Sequence, residues 1–387
     1  MSKVAIIGVG STTYGDHTAT PLRNLAAMAI SQAIRDAGIS DQRIAAAYAG
    51  SGLAGVLGGQ EGMVGQLALR ELGITGIPIM RIENACASSA CAVREASLAI
   101  RAGEVDVALA FGVEKMKGYP TDQVLRALAG DGDVPLEGDA GLIFPAVFAM
   151  MARVHMQRFS TPREALAAVA EKAHANAMLN PTAQMRETIT RERALQGRIV
   201  ADPLTVYDCC PVSDGAAAVV LANENVANAL PGRKVWLDSC VLVSGSYENS
   251  DLVSFEATRR AATKAYETAG VGPKDIDFAE VHDCFTIAEI IHSEDLGFFE
   301  KGDGGFAVLR GETTRGGTKP INVSGGLKAK GHPIGATGAG QIVEVALQLR
   351  GQAGARQLEG VKIGLTHCMG GFFGADCGSL VVSILSK

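Results

Sequence analysis

The stretch Arg81-Ile-Glu-Asn-Ala-Cys-Ala-Ser-Ser-Ala-Cys-Ala-Val93 decides the fold of this chain. It follows an apolar run over residues 74–82 and continues as a predicted helix to about Ile100. The helix is apolar on nearly every side, so we expect it to lie between two layers of structure. Cys86 falls at its first turn, where free N–H groups and the positive end of the helix dipole favour a thiolate. Cys86 is therefore a candidate nucleophile, although most cysteines are simply small buried side chains.

Composition restricts the class of protein before any further motif is considered. The chain has 387 residues, 47% of them hydrophobic, and a formal net charge of −6 at pH 7. This length exceeds one ordinary domain, and the acidic balance argues against nucleic-acid binding. The eight cysteines show no C-x-x-C pair or zinc-ligand spacing and do not resemble a secreted disulfide framework. With no signal-peptide pattern and no membrane-length apolar run, the expected location is the cytoplasm, away from the membrane.

Two parts of the chain repeat the same order of elements. Residues 22–37 predict an amphipathic helix that ends at Gly38. The same pattern returns over residues 257–282, at an offset of 232 residues that aligns Gly38 with Gly270. Apolar strands separated by helices, such as residues 105–112, favour a mostly parallel sheet. We therefore predict an α/β fold with two similar halves related by a pseudo-twofold axis.

The composition changes over residues 119–205, where Pro, Met and charged residues become more frequent. An amphipathic helix is predicted within this segment, over residues 162–177. We interpret the segment as a lid-like insertion in the first half. The predicted division is thus residues 1–230 for the first half, including this loop domain, and residues 231–387 for the second. The insertion and Phe372-Phe373 are expected to line a substrate pocket.

Three side chains of the second half could act together with Cys86. His282 ends a predicted strand, which is where α/β sheets usually place ligands. His332 lies in a Gly/Pro-rich turn before a helix, and a rigid turn holds an imidazole in one orientation. Cys368 is predicted to follow a strand and precedes two glycines, so the Gly370 N–H could donate to an oxyanion.

These two cysteines and two histidines, in apolar and nearly acid-free surroundings, suggest acyl chemistry. A Cys–His pair activates a thiol nucleophile, a second cysteine can move a proton at carbon, and a second histidine can stabilise an enolate oxygen. A metal site is the competing interpretation. A zinc site would normally keep acidic partners close to its ligands, so we expect no metal here.

The motifs that contain these residues resemble those of the thiolase superfamily, in the branch of sterol-carrier-protein-type and archaeal acetoacetyl-CoA thiolases. The resemblance extends over essentially the whole chain, and the block Gly-His332-Pro-Ile-Gly-Ala-Thr-Gly is its most specific part. The other matching blocks are Asn84-Ala-Cys-Ala-Ser88, Gly112-Val-Glu-Lys-Met116, Ser213-Asp-Gly-Ala-Ala217, Val281-His-Asp-Cys-Phe285 and Cys368-Met-Gly370. The resemblance implies two βαβαβαββ halves in a five-layer αβαβα sandwich with an inserted loop domain, which agrees with the repeat and the insertion above.

The resemblance also implies a role for each site residue. Cys86 resembles the nucleophile that takes the acyl group as a thioester, and His332 resembles the base that activates it. Cys368 resembles the acid/base that moves the proton at Cα of acetyl-CoA. His282 stands where many thiolases have an asparagine and is expected to shape the enolate oxyanion hole. The N–H groups of Cys86 and Gly370 resemble a second oxyanion hole.

The expected function is therefore an acyl-CoA C-acyltransferase, which cleaves a β-ketoacyl-CoA with CoA or runs the reverse Claisen condensation. CoA and acyl-CoA are its substrates, and no permanently bound cofactor is expected. The CoA-binding residues are not indicated, although Lys328 and Lys330 are expected either to meet CoA phosphates or to face water.

The family implies a homodimer or a dimer of dimers, and several members of the branch work with a small zinc-ribbon/OB-fold partner. A catalytically silent, thiolase-like subunit that binds acyl-CoA or lipid is the alternative. A ketoacyl or hydroxymethylglutaryl synthase is disfavoured, because those enzymes lack a second catalytic cysteine such as Cys368.

Overall fold

A computed structural model describes residues 3–249, 251–372 and 374–387 of the chain. The α-helices are α1 Leu22–Ala37, α2 Ala54–Gly58, α3 Val64–Arg70, α4 Ser88–Ala102, α5 Thr121–Ala129, α6 Phe144–Phe159, α7 Arg163–Met178, α8 Arg191–Leu195, α9 Glu224–Ala229, α10 Glu256–Ala269, α11 Thr286–Asp295, α12 Gly304–Leu309 and α13 Thr337–Arg350. The strands are β1 Val4–Ser11, β2 Ala46–Gly50, β3 Ile79–Ile82, β4 Val107–Glu114, β5 Ile199–Ala201, β6 Leu204–Thr205, β7 Gly215–Asn223, β8 Val235–Val243, β9 Phe278–Glu280, β10 Ile363–Gly370 and β11 Ser379–Ser386.

The main sheet consists of two half-sheets that meet at β1 and β8. In the described residues it has nine strands in the order β3-β2-β4-β7-β1-β8-β11-β10-β9. The two central strands are antiparallel and pair only through Ala5 with Trp236 and Ile6 with Val235. On one side β2 is parallel to β4, and β4 is antiparallel to β7. On the other side β9 is parallel to β10, and β10 is antiparallel to β11. Read outward from the centre, the two half-sheets therefore have the same order of elements.

The repeat that the sequence predicts is present in the structure. Both α1 and α10 end at a glycine in the left-handed conformation, Gly38 with φ 63° and Gly270 with φ 70°. A short 3-10 turn follows each helix, over Asp41–Arg43 and Pro273–Asp275, before β2 and β9 begin. Glycine is favoured at both helix ends because a side chain there would be strained. The duplicated halves of the predicted fold are thus confirmed.

Helices α4 and α13 lie between the two half-sheets. Alternate residues of β7 show this arrangement: Val219 and Leu221 pack with α4 and α13, whereas Ala218 and Val220 pack with α1 on the opposite face. Helices α10 and α11 cover the outer face of the other half-sheet. The resulting order, helix layer, sheet, helix layer, sheet, helix layer, is the predicted five-layer sandwich. Helix α4 therefore lies between layers, as its composition indicated, but it is not buried all round, because the Leu98 side chain is 41% exposed.

Small residues allow these layers to approach closely. A Cβ atom on Gly338 of α13 would lie 2.5 Å from the Cβ atom of Ala90 on α4. A Cβ atom on Gly112 of β4 would lie 2.0 Å from the carbonyl oxygen of Gly335. Neither position can hold a side chain without moving the backbone. This close packing brings the N-terminal ends of α4 and α13 side by side.

Residues 119–205 belong to the first half by sequence but pack largely against the second half. Helices α6 and α7 share a core with α10, α11 and β11. The rings of Phe148 on α6 and Phe285 are stacked, with their centroids 4.6 Å apart. The helix predicted over residues 162–177 is α7. The boundaries of the two predicted halves themselves stay a prediction. Within the described part of the chain, we find no helix whose length and apolar character would suit a membrane span.

Candidate active site

Cys86 lies in a 3-10 turn, Ala85–Ala87, immediately before α4. Ala85 has φ 49°, an uncommon value for a residue with a side chain, and three hydrogen bonds hold the turn in place. The Ala85 N–H donates to Glu83 Oε1 at 2.7 Å. The Ser88 hydroxyl donates to the Ala85 carbonyl at 2.6 Å and accepts from the Asn84 N–H at 2.9 Å. The position of the sulfur is therefore set by the backbone around it.

His332 is oriented by two hydroxyl groups. Its N–H donates to Ser213 Oγ at 3.0 Å, and its ring Nδ1 lies 2.7 Å from Thr337 Oγ1. The Thr337 hydroxyl donates its only proton to the Pro333 carbonyl, 3.0 Å away. Thr337 Oγ1 must therefore accept from His332, which places the ring proton on Nδ1. The Nε2 atom is left unprotonated, as a general base requires.

His282 lies two residues beyond the end of β9 and is held mainly through its backbone. Its N–H donates to Nδ1 of His367 at 3.4 Å, and Nε2 of His367 lies 3.1 Å from Thr258 Oγ1. The N–H of the preceding Val281 donates to Asn322 Oδ1 at 2.8 Å. The side chain stays free for the site: within the described residues, Nδ1 of His282 is buried without a hydrogen-bond partner.

Three of the four predicted side chains meet at one point. The Cys86 Sγ atom and one ring nitrogen each of His282 and His332 all lie within 4.8 Å of one another. The two imidazole rings are edge to face, with centroids 5.1 Å apart. All three residues are buried, with exposed fractions of 8%, 1% and 6% in chain order. The two halves of the chain thus contribute to one site.

Cys368 approaches the same turn from its other side. Its thiol donates to the Cys86 carbonyl, with 3.3 Å between sulfur and oxygen. The residue lies inside β10, so the expectation that it follows a strand was wrong; the strand continues to Gly370. A Cβ atom on Gly370 would lie 2.1 Å from the Asn84 carbonyl oxygen, so only glycine fits there. The end of β10 is therefore packed directly against the Cys86 turn.

Burial controls the protonation of the site. It raises the pKa of the Cys86 thiol well above its usual value, and the negative charge of Asp131 raises it further. Burial also lowers the pKa of His332 to about 3 and that of His282 well below its usual value. Desolvation of the sulfur thus opposes the thiolate that the helix end favours, and the protonation state of Cys86 stays a prediction. Burial therefore favours the neutral forms of the Cys86 thiol and of both imidazoles.

Asp131, in the loop after α5, corrects the expectation of acid-free surroundings. Burial raises the pKa of its carboxyl group to about 8, and Glu83 contributes to the increase. Its Oδ2 atom is buried with no partner among the described residues. The Asp131 carbonyl accepts from the Phe372 N–H at 3.0 Å, so the insertion does reach the predicted pocket segment. The neighbouring Phe373 lies outside the described residues.

Lys328 and Lys330 do not face water. Their exposed fractions are 3% and 5%, and they occupy the buried turn Gly326–Lys330. Burial lowers the pKa of Lys328. The Lys330 ammonium group donates to the Gly340 carbonyl at 3.4 Å and lies 5.8 Å from the ring centroid of Tyr14. These contacts support the loop that holds His332.

Several residues that shape the site were given no role from sequence. Thr337 and Ser213 orient His332, and His367 supports His282. Glu114 accepts from the N–H groups of Gly52 at 2.8 Å and Gly335 at 3.2 Å. Thr337, Ser213 and Glu114 belong to the motif blocks quoted above, and that membership could have marked them as residues of the site. For His367 the only signal was that it adjoins Cys368.

Comparison with known proteins identifies the family. The family model for the thiolase N-terminal domain matches residues 4–225, and the model for the thiolase C-terminal domain-like region matches residues 243–387. An acetyl-CoA acetyltransferase of Methanothermobacter thermautotrophicus is 43% identical, over 100% of both chains. Sterol carrier protein 2 of Rattus norvegicus is 34% identical, over 96% of this chain and 70% of that protein. The solved structure titled Ltp2-ChsH2(DUF35) aldolase has a TM-score of 0.85 at 24% identity, covering 98% of this chain and 97% of that one.

The fold is that of the thiolases, and the chain belongs to the thiolase family. It is an acyltransferase of the thiolase type, as the sequence motifs indicated.

Proposed function

We propose that the chain transfers an acyl group between CoA and a β-ketoacyl-CoA through an S-acyl intermediate on Cys86. The observation that carries this proposal is the convergence of the Cys86 sulfur with ring nitrogens of His282 and His332 within 4.8 Å. A thiol next to an unprotonated imidazole nitrogen is an activated nucleophile. The names of the acetyl-CoA acetyltransferase relatives support acetyl-CoA as one product of cleavage.

In the first stage of cleavage, the Cys86 sulfur attacks the β-carbonyl carbon while its proton moves to Nε2 of His332. Because burial lowers the pKa of His332, we expect this transfer to accompany the negative charge that develops on the substrate oxygen. N–H groups of Cys86 and Gly370 are the proposed donors to that oxygen. The bond between Cα and the β-carbon then breaks, which leaves an acyl thioester on Cys86 and the enolate of acetyl-CoA.

In the second stage, the enolate takes the thiol proton of Cys368 at Cα, and acetyl-CoA leaves. His282 is the proposed donor to the enolate oxygen before that protonation. The thiol of an incoming CoA returns a proton to Cys368, and its sulfur attacks the acyl thioester. Cys86 leaves as a thiolate and recovers its proton from His332, so both cysteines and the histidine regain their starting state. The reverse sequence is the Claisen condensation.

Mass spectrometry after incubation with acetyl-CoA tests the intermediate. We expect one acetyl group on the peptide that contains Cys86, and none in Cys86→Ala. Cys91→Ala is the matched control, because Cys91 is on the same helix with its sulfur held by Asn84 Nδ2 at 3.3 Å. Acetylation at another residue would contradict the proposed nucleophile. Binding of acyl-CoA with neither acetylation nor CoA-dependent cleavage of acetoacetyl-CoA would identify the silent subunit instead.

We further propose a homodimer, which could pair into a dimer of dimers. The strand β3 lies at the edge of the main sheet, and the exposed fraction of its Met80 is 55%. An uncovered edge strand with an apolar side chain suits pairing with a second copy. Light scattering of wild type and Met80→Lys tests this, with a shift toward monomer expected for the variant and a monomeric wild type contradicting the proposal.

A small zinc-ribbon/OB-fold partner and a cytoplasmic location stay predictions. The solved neighbour carries a DUF35 component in its title, which supports looking for such a subunit. Turnover of acetoacetyl-CoA by the purified chain alone would show that no partner is required for that reaction.

A further inference from the structure

The group Cys86, His282 and His332, which we call the central triad, has a property that acyl transfer does not require. Its sulfur and two ring nitrogens are mutually within 4.8 Å, and no carboxylate belongs to this group of close ligand atoms among the described residues. We propose that the central triad of the unacylated enzyme reversibly binds one thiophilic divalent cation, such as Zn²⁺ or Co²⁺, and that this ion blocks the site.

The geometry is close to that of a three-ligand metal site. In tetrahedral zinc sites the metal lies about 2.0–2.1 Å from a histidine nitrogen and about 2.3 Å from a cysteine sulfur. Neighbouring ligand atoms are then roughly 3.3–3.8 Å apart. The separation of at most 4.8 Å in the central triad would have to contract by about 1 Å. Rotation of the Cys86 side chain and small ring movements suffice for this.

Both imidazoles are prepared as ligands. Nδ1 of His332 is tied to Thr337 Oγ1 at 2.7 Å, which leaves Nε2 with a free lone pair. Histidine ligands in metal sites commonly have their other nitrogen fixed in this way. Nδ1 of His282 is buried without a hydrogen-bond partner among the described residues, and a bound metal ion would give this ring a partner.

Binding forms one metal–sulfur bond and two metal–nitrogen bonds and breaks the S–H bond of Cys86. The thiol proton leaves to the buffer, because both nitrogens of His332 are occupied, and nothing is oxidised or reduced. Three protein ligands leave the fourth position to water, as in open zinc sites. The ion coordinates Cys86, the proposed nucleophile, and His332, the proposed base, so that neither can react with a substrate. An S-acylated Cys86 offers no thiolate, so acylation protects the site.

Cobalt titration of protein freed of metal by chelator tests the inference. We expect one Co²⁺ per chain and a thiolate-to-cobalt charge-transfer band, with zinc displacing the cobalt. Cys86→Ala should lose the band, and His282→Ala should bind at least about tenfold more weakly. Cys91→Ala and Cys368→Ala are the controls, since both remove a nearby sulfur outside the central triad. Circular dichroism checks that each variant is folded.

A band that survives in Cys86→Ala, or a wild type that binds no cobalt at millimolar concentration, would overturn the inference. Binding of the ion does not rest on the proposed acyltransferase chemistry; only the loss of turnover does. Micromolar Zn²⁺ should stop cleavage of acetoacetyl-CoA, and chelator should restore it. A chain that binds cobalt but cleaves no β-ketoacyl-CoA would refute the proposed function alone, whereas an active chain that binds no cobalt would refute this inference alone.

Discussion

The starts of α4 and α13 share one local structure and carry different chemistry. Each helix begins with a 3-10 turn, Ala85–Ala87 or Ile334–Ala336, and each ends at a left-handed glycine, Gly103 or Gly351. The Ala339 N–H of α13 donates to the Ser89 hydroxyl of α4 at 3.0 Å, so the two starts are in contact. One start presents a sulfur and the other an imidazole.

A single hydroxyl at the first residue of each helix accounts for much of the difference. Ser88 uses its hydroxyl only on the backbone of Asn84 and Ala85. Thr337 donates to a backbone carbonyl in the same manner but accepts from the ring of His332. The two helix starts therefore occupy equivalent positions in the two halves. Only the Thr337 hydroxyl is hydrogen-bonded to an imidazole, and only that helix start therefore orients a base. Substitutions at and around the two helix starts should therefore differ in their effects on acetylation, proton exchange and stability.

Removing the base should have the largest effect. In His332→Gln the side chain has no nitrogen that can take the Cys86 proton. We expect the rate of S-acetylation by acetyl-CoA to fall about 10²- to 10⁴-fold. Rapid-quench mass spectrometry measures this rate. An unchanged rate in a folded variant would mean that the second helix start does not supply the base.

Removing the second sulfur should separate the two stages of the reaction. Cys368→Ala should leave acetylation of Cys86 near the wild-type rate, because among the described residues the hydrogen bond of its thiol goes to the Cys86 carbonyl and not to the Cys86 sulfur or the His332 ring. Exchange of the acetyl α-protons with deuterated solvent should fall by about 100-fold or more. Nuclear magnetic resonance of acetyl-CoA in deuterium oxide follows this exchange, with Cys91→Ala as control. Exchange at the wild-type rate would remove the proposed role of Cys368.

The paired variants Thr337→Val and Ser88→Ala test the comparison directly. Thr337→Val keeps the shape but removes the acceptor for the His332 ring and the donor to the Pro333 carbonyl. We expect acetylation about tenfold slower and a loss of about 1–3 kcal/mol in unfolding free energy. Ser88→Ala removes the donor to the buried Ala85 carbonyl and the acceptor of the half-buried Asn84 N–H, so we expect a loss of about 1–3 kcal/mol in unfolding free energy. Denaturant unfolding and acetylation rates measure both. A tenfold slower acetylation in Ser88→Ala as well would contradict the asymmetry.

Asp131→Asn should have the smallest effect, and only at high pH. The Asp131 carboxyl group is mostly protonated below its pKa of about 8 and ionised above it. The ionised form raises the pKa of the Cys86 thiol, and asparagine does not. Alkylation of Cys86 should therefore match wild type below pH 8 and exceed it about two- to fivefold above pH 8. A variant that differs equally at all pH values would show that the carboxylate charge is not the cause.

Much of the architecture could be predicted because it depends on local patterns. The apolar composition of residues 88–102 required a buried helix, and Gly38 and Gly270 marked equivalent helix ends. The place of Cys368 could not be predicted in this way. Glycines after it looked like the start of a loop, but pairing of β10 with β11 along its whole length continues the strand to Gly370.

The amino-acid sequence by itself determined the helical and strand periodicities, the duplicated order of elements and the motif residues that the thiolase family shares. Only the tertiary structure decided that burial raises the pKa of the Cys86 thiol, that Asp131 lies near it, and that Thr337 sets the proton of His332. The physical reason is that a pKa and a tautomer depend on what surrounds a group in space. Some of those neighbours are distant along the chain: His282 and His332 meet Cys86 although 196 and 246 residues separate them from it.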